Sequence, residues 1–140
     1  MNYYLKSKNG EKISFSTGDW TLYLNLAMLY GWEPQGTMKP KGYGFFKKWN
    51  GNYDKVHEGQ QVSNKDACNL AMAFETALSD PEFPEKSSEL SKGFAKSIKE
   101  TIEEATGHPY DLDYEISFNI NVEYIKEFIV FCKLGAFTIN

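Results

Sequence analysis

An irregular segment rich in rings and glycine, Trp32–Gln61, lies between two stretches with clear helical periodicity. A compact domain rarely carries so long a connection unless the segment is functional or disordered. Disorder is disfavoured because disordered segments are poor in aromatic residues. The rings of this segment are Trp32, Tyr43, Phe45, Phe46, Trp49 and Tyr53. We therefore expect an ordered segment that is clamped against the helices on either side.

Apolar spacing along the rest of the chain predicts an α+β fold, with about four helices packed against a small antiparallel sheet. The sheet should combine an N-terminal hairpin with a C-terminal strand around Phe137 and Ile139. Asn9-Gly10 favours a type I′ turn in the hairpin. A weaker alternation predicts a short strand over Tyr114–Asn119. The apolar residues of the hairpin fall on one face: Tyr3, Leu5, Ile13 and Phe15.

The helices are delimited by capping residues, prolines and glycines. They are expected over Asp19–Tyr30 with Thr17 or Asp19 as cap, from Ser63 to Asp80, over Ser88–Ala105, and from Val122 to Gly135. Ser63 and Asp66 approximate a capping box. The first helix is apolar around almost its whole circumference, which indicates either a central core helix or an oligomer contact. A homodimer is therefore an open alternative.

Composition and charge exclude several classes of protein. A chain of 140 residues is the size of one domain, and its net charge of −4 argues against general nucleic-acid binding. All 15 basic residues are lysine, so an arginine-based anion site is excluded. Two cysteines make no disulfide framework. With no signal peptide and no long apolar run, a cytoplasmic protein without membrane spans is expected.

Several blocks of the sequence occur together in a recognisable combination. They are Gly31-Trp32-Glu33-Pro34-Gln35-Gly36-Thr37, Trp49-Asn50-Gly51-Asn52-Tyr53, Gly59-Gln60-Gln61-Val62-Ser63 with Asp66-Ala67, and Phe131-Cys132-Lys133 with Gly135, Phe137 and Ile139. This combination resembles a group of short uncharacterised bacterial proteins. The chain departs from that pattern at Asp54–Glu58, where such proteins more often show a Ser-Asn-Asp turn. The resemblance implies a single bacterial domain over residues 1–140, marks the segment Trp32–Gln61 as a shared feature, and implies no activity.

The strongest functional pattern is the alternation of cationic and aromatic residues within 32–53. The candidate contact residues are Tyr43, Phe45, Lys47, Lys48, Trp49 and Tyr53. Rings of this kind supply contact area with a polar handle, and lysines beside them also suit phosphates. The acidic whole chain disfavours a nucleic acid. With Asn50 and Asn52 the same rings suit a sugar or a peptide surface equally, and another protein is the expected partner. The structural alternative is that Trp32, Phe46 and Trp49 fold back onto the helices as part of the core.

Two further functions remain open. The acidic residues between 75 and 104 suit an immunity-type inhibitor of a basic toxin, although a solvated helix face has the same composition. Asp54, His57 and Glu58 suit the acid–base or metal cluster of a hydrolase, although no metal-binding motif accompanies them. Cys68 and Cys132 fall at apolar helical positions, which indicates buried structural thiols. We therefore expect a non-catalytic binding protein with no catalytic residue, metal or cofactor.

Overall fold

The computed structural model describes residues 2–40, 49–53, 59–111 and 120–140. Within these ranges four strands form one antiparallel sheet, and four helices accompany it. The predicted α+β fold is confirmed. The strands are β1 (Asn2–Ser7), β2 (Lys12–Ser16), β3 (Gln60–Val62) and β4 (Phe137–Ile139), and the helices are α1 (Thr17–Leu29), α2 (Asn64–Ser79), α3 (Phe83–Thr106) and α4 (Val122–Lys133).

The sheet has the strand order β2-β1-β4-β3, so the two ends of the chain pair at its centre. The C-terminal strand pairs with the N-terminal hairpin, as predicted, and Leu5 of β1 lies opposite Ile13 on one side and Ile139 on the other. The predicted type I′ turn is wrong. That turn needs positive φ at both central residues, and only glycines have positive φ in the described parts of the chain. Gly10, with φ 88°, instead closes a loop one residue longer, because Ser7 pairs with Glu11.

Alternation along β1 separates a buried face from an exposed one, with Tyr3 and Leu5 inside and Tyr4 and Lys6 outside. The inner face packs on α1, α2 and α4 in one aromatic-rich core. Rings from four elements meet edge to face or tilted, with centroids 5.0–6.1 Å apart. They are Phe15, Trp20, Tyr23, Phe74 and Phe128.

Helix α1 is the central helix of this core. Its Trp20, Leu22 and Leu26 are completely buried within the chain, which accounts for much of its apolar circumference, whereas Met28 and Leu29 are exposed. The predicted cap at Thr17 or Asp19 is wrong by one or more residues. Ser16 is the cap, because its hydroxyl accepts a hydrogen bond from the Asp19 N–H at 3.1 Å.

The other helices follow the predicted order, with one change of boundary. Ser63 caps α2 as expected, and α4 begins at Val122. Helix α3 begins at Phe83 rather than Ser88, because Pro84 lies in the first turn, where a missing N–H costs no hydrogen bond. Helix α3 packs against α1 and α2. In the part of the chain that the structure covers, no helix is both long and apolar enough to cross a membrane.

The strand β3 was not predicted. It lies at the end of the segment expected to be irregular, and it pairs with β4 through Gln60 opposite Ile139 and Val62 opposite Phe137. On its other side a single bridge joins Gln61 to Met38, with the Met38 N–H 2.7 Å from the Gln61 carbonyl oxygen. The sheet therefore holds both the start and the end of the irregular segment. The predicted strand over Tyr114–Asn119 lies outside the described residues.

Candidate functional site

Two stretches of the irregular segment are described next to α1: a first limb, residues 32–40, and a second limb, residues 49–53. One buried carboxylate at the start of α2 holds both limbs against the helices by hydrogen bonds. The Asp66 side chain is completely buried and accepts the Gln35 N–H at 3.1 and 3.2 Å from its two oxygens. It also accepts the Tyr53 hydroxyl. Asp66 lies in the first turn of α2, where the helix dipole stabilises a negative charge.

Tyr53 connects this carboxylate to the aromatic core. Its ring meets Trp32 edge to face with centroids 5.3 Å apart, and its carbonyl oxygen accepts the Trp20 Nε1–H at 2.8 Å. Burial, followed by the hydrogen bond to Asp66, raises the pKa of the Tyr53 phenol. The hydroxyl therefore stays protonated and serves as a donor across the physiological pH range.

A second polar cluster joins the two limbs to each other and to β3. The Thr37 hydroxyl donates to the Asn52 carbonyl oxygen at 2.9 Å, and the Trp49 Nε1–H donates to the Thr37 carbonyl oxygen at 2.8 Å. Gln60 is fully buried, and its side-chain amide donates to the same Asn52 oxygen. Buried polar groups of this kind stabilise a loop only when they are paired, as they are here.

Two glycines allow the limbs to approach so closely. Gly36 and Gly51 have φ of 101° and 73°, values that other residues rarely adopt. A Cβ on Gly51 would lie 3.3 Å from the Gly36 Cα, closer than most contacts of that kind. The Thr37 N–H donates to the Gly51 carbonyl oxygen at 3.0 Å across the same contact. The limbs therefore meet backbone to backbone.

An open groove of about 420 Å³ runs between α1 and the two limbs. Its helical wall is one face of α1, formed by Thr21, Leu24, Asn25 and Met28. Its other wall includes the rings of Trp32 and Tyr53 and three side-chain amides, those of Gln35, Asn50 and Asn52. None of the described residues that line the groove carries a charge. We call this feature the amide groove.

One polar atom of the groove wall, the indole nitrogen of Trp32, makes no hydrogen bond to the described residues. The residue is 3% exposed, and its Nε1–H has no hydrogen-bond partner among the described residues. Leaving a buried donor without a partner costs about 1–3 kcal/mol. The indoles of Trp20 and Trp49, by contrast, both donate to carbonyl oxygens.

The predicted contact residues divide into two groups. Trp49 is half-buried and Tyr53 is buried, and both belong to the hydrogen-bonded attachment of the limbs. The expectation that Trp32 lies against the core is supported by its burial. The other predicted contact residues lie outside the described residues: Tyr43, Phe45, Lys47 and Lys48.

The hydrolase residues Asp54, His57 and Glu58 also lie outside the described residues. Within the described ranges, no group of three histidine, cysteine or acidic side chains is placed to hold a metal ion. Burial raises the pKa of the Cys132 thiol well above its ordinary value, as expected for a structural cysteine. The same prediction is wrong for Cys68, which is exposed.

The acidic helices proposed for a basic toxin are partly neutralised within the chain. Asp80 and Glu82 both pair with Lys86, at 3.0 and 3.4 Å. Glu103 pairs with Lys99 at 3.6 Å, and Glu75 pairs with Lys133 at 3.1 Å. These pairs lower the negative potential that an immunity-type contact would need.

Sequence reasoning missed the residues that hold the site together: Gln35, Thr37, Gln60 and Asp66. Asp66 was recognised only as part of an approximate capping box at a helix start. The one available signal was the positions of Gly36 and Gly51 in the two limbs, since paired glycines often mark a close approach of two backbones.

Comparison of the chain with protein-family models, with curated proteins and with solved structures finds no match.

Proposed function

We propose that this chain is a small, non-catalytic bacterial protein of the cytoplasm that binds another protein through the surface formed by residues 32–53. The observation that carries the proposal is the attachment of both limbs by buried hydrogen bonds beside an open groove. Limbs that are already attached lose little conformational entropy when a partner binds, and this favours affinity. The two free thiols support a reducing compartment.

The chemistry of the groove wall supports binding rather than catalysis. The described lining residues supply amides, threonine and tyrosine hydroxyls and apolar side chains, and none of these is an acid or base that transfers a proton near neutral pH. Met28, 44% exposed, presents a flexible apolar side chain at the groove. Methionine is common on surfaces that adapt to a partner.

A pull-down with matched variants tests the proposal. Met28→Lys places a charge in the amide groove, whereas Met72→Lys makes the same change on the exposed face of α2, outside the groove. We expect the wild type and Met72→Lys to retain the same bacterial partner and Met28→Lys to lose it. Equal retention by Met28→Lys, or no specific partner for the wild type, would refute the proposal.

Ionic strength separates this proposal from a contact through the acidic helices. A contact confined to the amide groove, whose described lining residues are uncharged, predicts that retention is nearly unchanged in about 1 M salt, where the Debye length is about 3 Å. A contact through the acidic residues of α2 and α3 predicts a large loss. Retention that falls steeply with salt and ignores Met28→Lys would place the contact on those helices instead.

A further inference from the structure

The sequence contains two Asn-Gly dipeptides, Asn9-Gly10 in the loop between β1 and β2 and Asn50-Gly51 in the second limb. In such a pair the backbone nitrogen of the glycine can attack the side-chain carbonyl carbon of the asparagine, because glycine has no Cβ to obstruct the approach. Both asparagines are exposed. The structure distinguishes the two sites by the hydrogen bonds of the attacking nitrogen and of the carbonyl that is attacked.

The attacking nitrogen is engaged in the hairpin loop and unengaged in the second limb. The Gly10 N–H donates to the Ser7 carbonyl oxygen at 3.1 Å. The Gly51 N–H makes no hydrogen bond in the part of the chain that the structure describes. Attack by the Gly10 nitrogen therefore requires that a main-chain hydrogen bond is broken first, whereas attack by the Gly51 nitrogen does not.

The carbonyl that is attacked also differs between the two sites. Asn50 Oδ1 accepts the Asn52 N–H at 3.0 Å, so the side chain is held beside its own main chain in an Asx turn. Negative charge develops on this oxygen when the nitrogen attacks, and a donor already aimed at it stabilises the tetrahedral intermediate. The Asn9 side chain has no such donor among the described residues.

We propose that Asn50-Gly51 is a site of spontaneous modification in the folded protein, without an enzyme. A base removes the Gly51 N–H proton, and the nitrogen forms a bond to Asn50 Cγ. The bond from Cγ to the side-chain nitrogen breaks, and that nitrogen takes up a proton and leaves as ammonia. Water then opens the resulting cyclic imide at either of its carbonyl groups. The product at position 50 is an aspartyl residue or an isoaspartyl residue, in which the main chain runs through Cβ and Cγ.

The isoaspartyl product should detach the second limb from the first. It lengthens the main chain by one carbon next to Gly51, where an added Cβ would already lie 3.3 Å from the Gly36 Cα. The Thr37 N–H then loses its alignment with the Gly51 carbonyl oxygen, which lies 3.0 Å away in the unmodified protein. The new carboxylate also places a negative charge in the lining of the amide groove. Modification therefore changes both the attachment and the charge of this surface.

The experiment is incubation of the folded full chain in mildly alkaline buffer, followed over time by peptide mapping with mass spectrometry. The conversion of amide to acid is measured separately at Asn50 and Asn9, so Asn9 is an internal comparison. Incubation in urea is the control, because the unfolded chain lacks the hydrogen bonds that distinguish the two sites. Asn50→Gln keeps a side-chain amide but needs a larger ring for the same attack. Anion exchange separates the modified protein, in which amide hydrogen exchange of Thr37 is then measured.

We expect the folded protein to convert Asn50 about two- to twelvefold faster than Asn9, the factor that the net energy of one hydrogen bond gives in a rate. The two rates should converge in urea, and Asn50→Gln should convert only at Asn9. The Thr37 amide should exchange faster in the isoaspartyl fraction than in the unmodified protein. Conversion of Asn9 at the same rate as Asn50 or faster in the folded protein would overturn the proposal. An isoaspartyl fraction whose Thr37 amide still exchanges slowly would overturn the detachment of the limb.

Discussion

Removing the Tyr53 hydroxyl should weaken the attachment of the second limb by a predictable amount. In Tyr53→Phe, the ring keeps its contact with Trp32, but the hydrogen bond to the buried Asp66 carboxylate is lost. A hydrogen bond to a charged group contributes about 1.5–3 kcal/mol, so the free energy of unfolding should fall by about that amount. Tyr4→Phe, at a tyrosine that is 55% exposed, should change it by less than about 0.5 kcal/mol.

A double-mutant cycle isolates this hydrogen bond. Urea unfolding is followed by tryptophan fluorescence for the wild type, Tyr53→Phe, Asp66→Ala and the double variant. If the hydroxyl and the carboxylate stabilise the fold through each other, the coupling energy should be about 1.5–3 kcal/mol. Additive effects, with a coupling energy below about 0.5 kcal/mol, would refute the proposed attachment.

Three further predictions concern the backbone, acid stability and the thiols. Gly51→Ala should lower the free energy of unfolding by at least about 1–2 kcal/mol, because Gly51 has a positive φ and contacts the other limb. Gly93→Ala, in the open interior of α3, should raise it by about 0.5–1 kcal/mol. Urea unfolding measures both changes. Hydrogen bonds from the Glu82 N–H, the Tyr30 hydroxyl and Lys86 lower the pKa of Asp80 to about 2. The ionised Asp80 carboxylate therefore stabilises the fold above pH 3.8, and this stabilisation is lost as the pH falls towards 2. The melting temperature of Asp80→Asn should depend less on pH in that window than the melting temperature of the wild type. A thiol reagent should label Cys68 in the folded protein, whereas labelling of Cys132 should require unfolding.

Each of these three predictions has a distinct contradicting result. Equal stability of the Gly51 and Gly93 variants would show that the limbs do not meet at the glycines. An unchanged acid transition in Asp80→Asn would exclude its carboxylate as the titrating group. Fast labelling of both thiols in the native protein would contradict the burial of Cys132.

The parts of the fold that were predictable are those set by residues close together in the sequence. Ser63 and the apolar stripe of α2 form a local pattern, and so does the alternation in β1. The start of α3 was misplaced because Pro84 has opposite meanings inside a helix and in its first turn. The loop type at Gly10 depended on a one-residue difference in register that composition does not encode.

The site was less predictable because its contacts join residues that are far apart in sequence. Asp66 meets a backbone N–H 31 residues earlier, at Gln35, and the Trp20 indole meets a carbonyl oxygen 33 residues later, at Tyr53. Strand β3 has only three residues and depends on pairing with β4 at the other end of the chain. The rings of segment 32–61 predicted an ordered, attached segment, but not which polar groups attach it.

Amide hydrogen exchange at Gln35 tests the central claim most directly, namely that the Asp66 carboxylate holds the first limb as part of a preformed surface. The Gln35 N–H lies outside every helix and strand, and its described acceptors are the two Asp66 oxygens. We predict slow exchange in the wild type, comparable to that of amides in α2, and much faster exchange in Asp66→Asn. Exchange of the wild-type Gln35 amide at the rate of an unstructured peptide would contradict the account.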